Sequence, residues 1–328
     1  MAADHYTTLE VDTRASAAVI KAAHHALQTS KATQAQKKAF TAAWSVLGDP
    51  KKREAYDAER NKHVGKVIGQ YRVIEKIAEG GFGTTYKGEH IRLKTPVCLK
   101  HCSRINRDME RILEEEAKAV WDLRHFAIPA MRDIIKLDDG SSALVMSYIE
   151  GPTLEEVVQK KGQMDPEHVI WIIQRVLNAL QYLHFHGVVH GDIKPQNIIV
   201  QPDKHMAVLV DYGLSMVKPK ADEENIGYTE IYSPPEQVKG DPLLPETDLY
   251  SLGMTALYAL NNNERLVRQK KLATSVPKPM RDFLSGLIVR DTLARPNWRK
   301  VDLCDEILKV REAAFGRARS NMKELAWP

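Results

Sequence analysis

Two short apolar runs that lead into polar residues constrain this chain more than any other feature. The first stretch, residues 189–199, carries Asp192 and Asn197 between β-branched residues. The second stretch, residues 208–213, places Asp211 nineteen residues beyond Asp192. Carboxylate and amide oxygens are the ligands that Mg²⁺ prefers, so we predict that Asn197 and Asp211 bind a metal ion. Asp192 is then available to orient an attacking hydroxyl group and to accept its proton, as phosphoryl transfer requires.

A glycine-rich segment lies between two strand-like runs and contains Ala78, Gly80, Gly81, Phe82 and Gly83. Glycines let backbone N–H groups approach phosphate oxygens without a Cβ atom in the way. The segment is not a Walker A loop, because no Gly-Lys-Ser/Thr follows it, and not a dinucleotide-binding turn, because a strand rather than a helix comes next. It therefore indicates either a phosphate-binding hairpin or a plain hairpin turn.

Lys100 ends the next strand-like run, residues 97–100. An ammonium group buried there without a partner would be costly, so Lys100 either faces solvent at a strand edge or pairs with an acid. The stretch 111–124 is a predicted helix that offers three adjacent candidates, Glu114, Glu115 and Glu116.

The order of these motifs resembles the protein kinase family over roughly residues 71 to 312. The resemblance implies an α+β, bilobal fold, ATP and Mg²⁺ as cofactors, and a protein substrate. It implies catalytic roles for Asp192, Lys194, Lys100 and Glu116, the last because alignment on the family's Glu…Leu-x-His pattern places Glu116 opposite Lys100. It also implies a hinge near residues 146–150 and a nucleotide pocket formed by Ala78, Gly80, Gly81, Phe82, Gly83, Thr85, Cys98, Lys100, Met146, Tyr148 and Ile199.

Several further residues match positions of the same family. Lys194 and Thr229 lie where serine/threonine kinases carry a phosphate-contacting Lys and a Thr that braces the catalytic Asp. Residues 228–236 look like the end of an activation segment, with Pro234 in place of the usual Ala. The resemblance implies that Asp248 anchors the catalytic loop and that Arg295 pairs with Glu236.

Gly191 is the most informative departure from the family pattern, because it replaces the Arg of His-Arg-Asp. That Arg normally receives an activation-loop phosphate, so its absence predicts activity without this switch. His-Gly-Asp also occurs in small-molecule phosphotransferases of the aminoglycoside-kinase type, which is the alternative enzyme class. A non-catalytic pseudokinase scaffold is the alternative outside enzymes.

Residues 4–60 resemble a J domain at both ends, in the opening residues 4–11 and the closing residues 47–57. The His-Pro-Asp tripeptide through which J domains stimulate Hsp70 is absent, and Ala32, Thr33 and Gln34 lie in its place. We therefore expect a docking or regulatory module that does not activate Hsp70. A simple solubilising bundle is the alternative.

The expected organisation is a J-like helical module at 1–63, a linker at 64–70, and a kinase domain at 71–315. Within that domain we predict a small lobe at 71–147, a hinge at 147–151 and a large lobe at 152–315, followed by a tail at 316–328. The net charge of +4 is too small and too dispersed to predict nucleic-acid binding. A count of only three cysteines without a CxxC pair, and the absence of an apolar run of membrane-spanning length, predict a soluble, cytoplasmic protein with no membrane partner.

Overall fold

The computed structural model describes residues 4–60, 63–80, 83–102, 107–137, 139–220, 225, 227–318 and 322–327. The chain divides into two compact units. The strand-rich unit comprises residues 1–110 and 133–145, and the helical unit comprises residues 111–132 and 146–328. In this division the first helices group with the strands, and residues 111–132 group with the helical unit.

Four helices form the beginning of the strand-rich unit: α1 (His5–Thr8), α2 (Ala17–Thr29), α3 (Gln34–Leu47) and α4 (Pro50–Arg60). Their apolar faces meet in a small core of Tyr6, Leu9, Ile20, Ala43 and Leu47, with Phe40 and Trp44 packed against it. α1 is joined to α4 by polar contacts, since the Tyr6 hydroxyl donates to Asp57 at 2.7 Å and Arg53 Nε donates to the Tyr6 oxygen at 2.8 Å. These contacts give the module a core and a polar clasp of its own.

α3 begins with a reciprocal cap. The Thr33 hydroxyl accepts from the Gln36 N–H, and the Gln36 side chain accepts from the Thr33 N–H at 2.8 Å. Such a capping box satisfies helix N–H groups that have no partner within the helix. Thr33, one of the three residues that the resemblance to a J domain places at its tripeptide, is thus the N-cap of a helix in this chain.

The sheet of the strand-rich unit has the order β1-β2-β3-β4-β6-β5. Its strands are β1 (Val67–Ile68), β2 (Tyr71–Gly80), β3 (Gly83–His90), β4 (Pro96–Cys102), β5 (Met131–Lys136) and β6 (Ser142–Ser147). β1 lies within the predicted linker 64–70 and pairs antiparallel with β2, because two β-branched residues there extend the sheet edge. One face packs as a core of Ile68, Tyr71, Val73, Tyr86, Val97, Leu99 and Val145.

The helical unit is built around α9 (Pro245–Asn261), in which every residue from 247 to 260 is buried. A helix that is buried on all sides forms the centre of a domain. α7 (Pro166–Phe185), α10 (Glu264–Arg268) and α11 (Lys278–Leu287) pack against it. The remaining helices are α5 (Arg107–Val120), somewhat earlier than the predicted stretch 111–124, α6 (Leu154–Lys161), α8 (Pro235–Val238) and α12 (Leu303–Phe315).

Short strands in the helical unit position its polar loops. β8 (Ile198–Gln201) pairs with β9 (Met206–Leu209), and β7 (Val188–Val189) pairs with β10 (Met216–Val217). The residues 190–197 and 210–215 therefore leave neighbouring strand ends. In the described part of the chain, no helix combines the length and the apolar character that crossing a membrane requires. Cys98, Cys102 and Cys304 form no disulfide among the described residues.

Candidate active site

Asp192 is the centre of a hydrogen-bonded group in the helical unit, and its side chain is mostly buried. The Thr229 hydroxyl donates to Asp192 Oδ1 at 2.7 Å, and Lys194 Nζ donates to Oδ2 at 2.6 Å. Asn197 Nδ2 donates to Oδ2 at 3.0 Å and to the Asp192 carbonyl oxygen at 2.9 Å. The structure thus brings four of the residues singled out from the sequence into one cluster.

The backbone that carries this cluster is held by Asp248, a fully buried residue of α9. Its carboxylate accepts from the backbone N–H groups of His190 and Gly191, each at 2.8 Å. His184 Nε2 donates to the same carboxylate at 2.8 Å, while His184 Nδ1 accepts from Trp298 Nε1. The predicted anchoring role of Asp248 is therefore confirmed.

His190 occupies the interior of the loop in its neutral form. Burial lowers the pKa of its imidazole, because the charged form loses its solvation there. Nδ1 accepts from the Asp192 N–H at 3.2 Å, which leaves the proton on Nε2 to be donated to the Val210 carbonyl at 3.2 Å. The ring thereby links the Asp192 loop to the residue that precedes Asp211.

Gly191 has a φ of +75°, a conformation that suits glycine. A Cβ atom at this position would lie 2.6 Å from the carbonyl oxygen of Leu214. The Gly191 carbonyl accepts from Gln237 Nε2 at 2.6 Å, and the same nitrogen donates to the Gly227 carbonyl at 2.9 Å. Gln237 therefore ties the Asp192 loop to the segment that carries Thr229.

Gln237 was not among the residues predicted from the sequence. It follows directly after Pro234, Pro235 and Glu236, the Pro-Pro-Glu element, and is only 1% exposed. The two carbonyl groups to which Gln237 donates belong to residues 46 and 10 positions away in the chain. The sequence contains no local signal for such contacts.

The pairing of β8 with β9 determines where the predicted metal ligands Asn197 and Asp211 lie in the backbone. The Val210 N–H donates to the Asn197 carbonyl at 2.9 Å, so the residue before Asp211 lies directly opposite Asn197. The Asn197 side chain is 5% exposed, and its amide nitrogen faces Asp192. Within the described residues no hydrogen bond is donated to its amide oxygen, which an Mg²⁺ ion could therefore use. In the described ranges, His, Cys, Asp and Glu side chains form no cluster of three or more suited to a metal.

Glu116 lies on α5 and is 2% exposed, whereas Glu114 and Glu115 are exposed. Lys100 lies on β4 and is 6% exposed. Charged side chains this deeply buried are rarely unpaired. The burial pattern therefore singles out Glu116 among the three adjacent acids.

Four of the predicted nucleotide-pocket residues share one face of the sheet. Ala78 lies opposite Thr85, and Thr85 lies opposite Lys100, two residues after Cys98. Directly opposed residues and residues two apart along a strand point to the same side. This face is the one opposite the apolar core of the sheet, and Gly80 and Gly83 continue it as a pair at the end of the hairpin. Gly81 and Phe82 lie outside the described residues.

Met146, Tyr148 and Ile199, the other predicted pocket residues, belong to the helical unit. Ile199 lies on β8 and forms a bridge to Thr153, and the Val200 N–H donates to the Pro152 carbonyl at 2.8 Å. Gly151 allows this close approach, because a Cβ atom there would lie 2.3 Å from the Val200 carbonyl oxygen. The segment after Tyr148 is thus held against the strand that carries Ile199.

The Pro-Pro-Glu element is held by a buried ion pair. Arg295 donates from two guanidinium nitrogens to Glu236, at 2.6 and 2.9 Å, and the Arg295 side chain is fully buried. Burial alone would raise the pKa of the Glu236 carboxyl, but the hydrogen bonds from Arg295 hold it below its usual range. The predicted pairing of these two residues is confirmed.

Comparison with known proteins agrees with this geometry. Residues 71–313 match the protein kinase domain. Serine/threonine-protein kinase PknL of Mycobacterium tuberculosis is 37% identical over 191 residues, which cover 56% of this chain and 47% of that protein. Serine/threonine-protein kinase pkn3 of Myxococcus xanthus is 29% identical over 241 residues, which cover 67% of this chain and 44% of that protein.

Serine/threonine-protein kinase D of Synechocystis is 30% identical over 216 residues, which cover 60% of this chain and 41% of that protein. The chain thus spans less than half the length of these three curated relatives. The domain match covers most of the chain, and it includes the Asp192 cluster and the sheet face with Lys100. This chain belongs to the protein kinase family.

Proposed function

We propose that this chain is an ATP-dependent serine/threonine protein kinase that transfers the γ-phosphate of ATP to hydroxyl groups of proteins. The observation that carries the proposal is the Asp192 carboxylate held by Thr229, Lys194 and Asn197. A carboxylate offers about four acceptor positions. Three side-chain donors occupy three of them, so capacity remains for one further donor, the hydroxyl group of the substrate.

In this mechanism Asp192 orients the acceptor hydroxyl and takes its proton as the oxygen bonds to the γ-phosphorus. The bond from that phosphorus to the oxygen bridging it to the β-phosphate breaks, and ADP leaves. Lys194, beside Asp192, would contact the transferred phosphate, and its positive charge would offset the developing negative charge. Thr229 and Asn197 keep the carboxylate in one orientation. Positioning of this kind, more than covalent participation, is what phosphoryl transfer asks of a protein.

ATP and Mg²⁺ are the cofactors that the donor groups fit. Asn197 through its amide oxygen and Asp211 through its carboxylate would hold the metal ion, which supplies charge neutralisation for the phosphates. We propose nucleotide contacts for Ala78, Thr85, Cys98, Lys100 and the hairpin glycines of the strand-rich unit. We propose the same role for Met146, Tyr148 and Ile199 of the helical unit. Lys100 would contact the phosphates, and Glu116 would have the role that the family pattern gives it. The support is the burial of Lys100, Glu116 and Met146 and the positions of all these residues in the family pattern.

Two further assignments belong to the same proposal. Gly191 lies at the position where the family carries the Arg that receives an activation-loop phosphate. We therefore infer that activity does not require that phosphate. Residues 1–63 would act as a J-like docking or regulatory module without Hsp70 activation, and the Thr33–Gln36 cap in place of the tripeptide supports this. The cytoplasmic location stays a prediction of the sequence.

The decisive experiment is phosphorylation by the purified chain with Mg²⁺ and labelled ATP. We expect label on Ser or Thr of the chain itself or of a generic protein substrate. Asp211→Ala should abolish it and Lys100→Ala should reduce it strongly, whereas the matched surface variant Asp282→Ala should behave as wild type, because Asp282 is exposed on α11.

Equal incorporation by wild type and Asp211→Ala would contradict the proposal. Labelling of an aminoglycoside in place of protein would identify the small-molecule phosphotransferase. Nucleotide binding without any transfer, to protein or small molecule, would identify a pseudokinase scaffold.

A further inference from the structure

A C-terminal segment, residues 322–327, lies against the helical unit without forming a helix or a strand. The match to the protein kinase domain ends at residue 313, so the family does not account for this segment. The surface beneath it is formed by the end of α6, the N-terminus of α7 and the turn between β8 and β9. These three parts are distant in sequence and together make one site.

Lys323 provides the charged contact. Its Nζ donates to Asp165 Oδ2 at 2.5 Å, and Asp165 also accepts from the Glu167 N–H as the N-cap of α7. Burial alone would raise the pKa of the Asp165 carboxyl, but the hydrogen bonds from Lys323 and Glu167 hold it below its usual value. The ammonium group is thus placed at an acidic helix cap.

Two histidines hold the backbone of the segment. His168 Nε2 lies 3.0 Å from the Glu324 carbonyl oxygen, and His205 Nε2 lies 3.2 Å from the Lys323 carbonyl oxygen. A carbonyl oxygen accepts, so each ring donates from its Nε2–H. Contacts to main-chain carbonyls recognise an extended peptide irrespective of its side chains.

Leu325 and Trp327 provide the apolar contacts. Leu325 is 5% exposed, although it belongs to a segment without regular structure. Lys160 Nζ lies 4.8 Å from the centre of the Trp327 ring, within the range of a cation–π contact. Lys323, Leu325 and Trp327 alternate along the chain, so every second side chain makes an anchoring contact.

The residues before the segment hold its entry point. Arg317 donates to both carboxylate oxygens of Glu167, at 2.8 and 2.6 Å, and Arg311 donates to the Ala318 carbonyl at 2.7 Å. A ligand attached so close to its site has a high effective concentration, so weak contacts suffice to hold it.

We propose that this surface is a peptide-docking site and that residues 322–327 are the ligand it holds in cis. The site takes a peptide with a lysine, a leucine two residues later and an aromatic residue two residues after that. A partner protein with this pattern binds the same surface only by displacing the segment. The proposal does not depend on the proposed kinase activity.

The test uses the full chain with a protease recognition sequence inserted between Arg319 and Ser320 and cut after folding. The released peptide, residues 320–328, should stay with the protein during gel filtration at micromolar concentration and should be exchanged by excess added peptide. Fluorescently labelled peptide should then bind the cut, stripped protein saturably in anisotropy titrations, and should bind the uncut protein at least ~10-fold more weakly.

Two substitutions make the test specific. Asp165→Asn keeps the helix cap but removes the charge that holds Lys323, so it should weaken peptide binding about tenfold. Asp282→Asn, an exposed acid of α11 whose carboxylate pairs with Lys278, is the matched control and should bind as wild type. A peptide with serine at the position of Leu325 should bind weakly.

Three results would overturn the proposal. The cut peptide could separate at once with no binding of added peptide. Added peptide could bind Asp165→Asn and the control equally, and a scrambled peptide as well as the native one. Loss of the melting transition after cutting and stripping would show that the segment is part of the folded core.

Discussion

The hydroxyl group of Thr229 lies 2.7 Å from Asp192 Oδ1 and donates a hydrogen bond to it, although the two residues are 37 positions apart. The Thr229 N–H in turn donates to the Ser233 hydroxyl at 2.9 Å, which fixes the turn that presents Thr229. The Thr229 side chain therefore couples the segment before Pro234 to the Asp192 loop, in addition to the contacts that Gln237 makes with both.

Replacing Thr229 by valine should lower kcat about tenfold, the loss expected when a hydrogen bond worth about 1.4 kcal/mol is removed. Thr229→Ser keeps the hydroxyl and should retain most of the activity. KM for ATP should change little in both variants, because Thr229 contacts the carboxylate and not the sheet face. Steady-state kinetics on a protein substrate measures this, and a valine variant as fast as wild type would refute the bracing role.

Removing the buried ion pair should destabilise the helical unit. Arg295→Ala leaves the Glu236 carboxylate without its partner and should cost about 3–5 kcal/mol of unfolding free energy. The exposed pair Arg268–Glu230, at 3.1 Å, is the matched control, and Arg268→Ala should cost less than about 1 kcal/mol. Denaturant unfolding of the three proteins measures both values, and equal losses would contradict the argument.

Glu155 should make stability depend on pH. Burial raises the pKa of its carboxyl, against the hydrogen bond from Gln196 Nε2 to Oε1. A raised pKa means that the neutral form is favoured in the folded state. The contribution of this group is therefore fully present below its unfolded pKa and is lost as pH rises through the folded value.

Glu155→Gln should consequently raise Tm at pH 8 by roughly 1–3 °C and leave it almost unchanged at pH 4. The glutamine oxygen can still accept from Gln196. Glu312→Gln, at an exposed position of α12, is the control and should show no such pH dependence. Calorimetry at the two pH values measures the difference, and a gain of equal size at both would show that charge is not the cause.

Phosphatase treatment should leave most of the kinase activity in place. Gly191 provides no guanidinium group for a phosphate on Thr229 or its neighbours, so removing such a phosphate breaks no charge-assisted contact there. Activity toward an added substrate, measured before and after treatment, tests this. A large loss that preincubation with ATP restores would show that another basic residue has taken the role.

The full-length chain should leave the ATPase rate of an Hsp70 unchanged, because Ala32, Thr33 and Gln34 supply neither the charge nor the rigid turn of His-Pro-Asp. Deleting residues 1–63 should change kinase activity or Tm, since these helices and the sheet belong to one compact unit. Stimulation of the ATPase would contradict the first expectation. A truncated protein that matches the full chain in rate and Tm would contradict the second.

Much of the site could be predicted because its residues lie in two short loops, 190–197 and 210–215, whose polar residues have a characteristic spacing. Asp192, Lys194 and Asn197 occupy one loop, and Thr229 follows from the family pattern. Gln237 and the His184–Trp298 contact could not be predicted, because their partners are far away in sequence and their residue types are common everywhere. The docked segment has no apolar periodicity, so burial of Leu325 becomes evident only in the folded chain.

The pairing of β1 with β2 has a mechanical consequence. β1 follows the helical module, pairs with the first residues of β2 at Tyr71 and Arg72, and the far end of β2 is the glycine-rich hairpin at Gly80. A strand of ten residues spans about 33 Å. The backbone hydrogen bonds between β1 and β2 therefore fix the strand that follows the first four helices to one end of β2, whose other end is the glycine-rich hairpin.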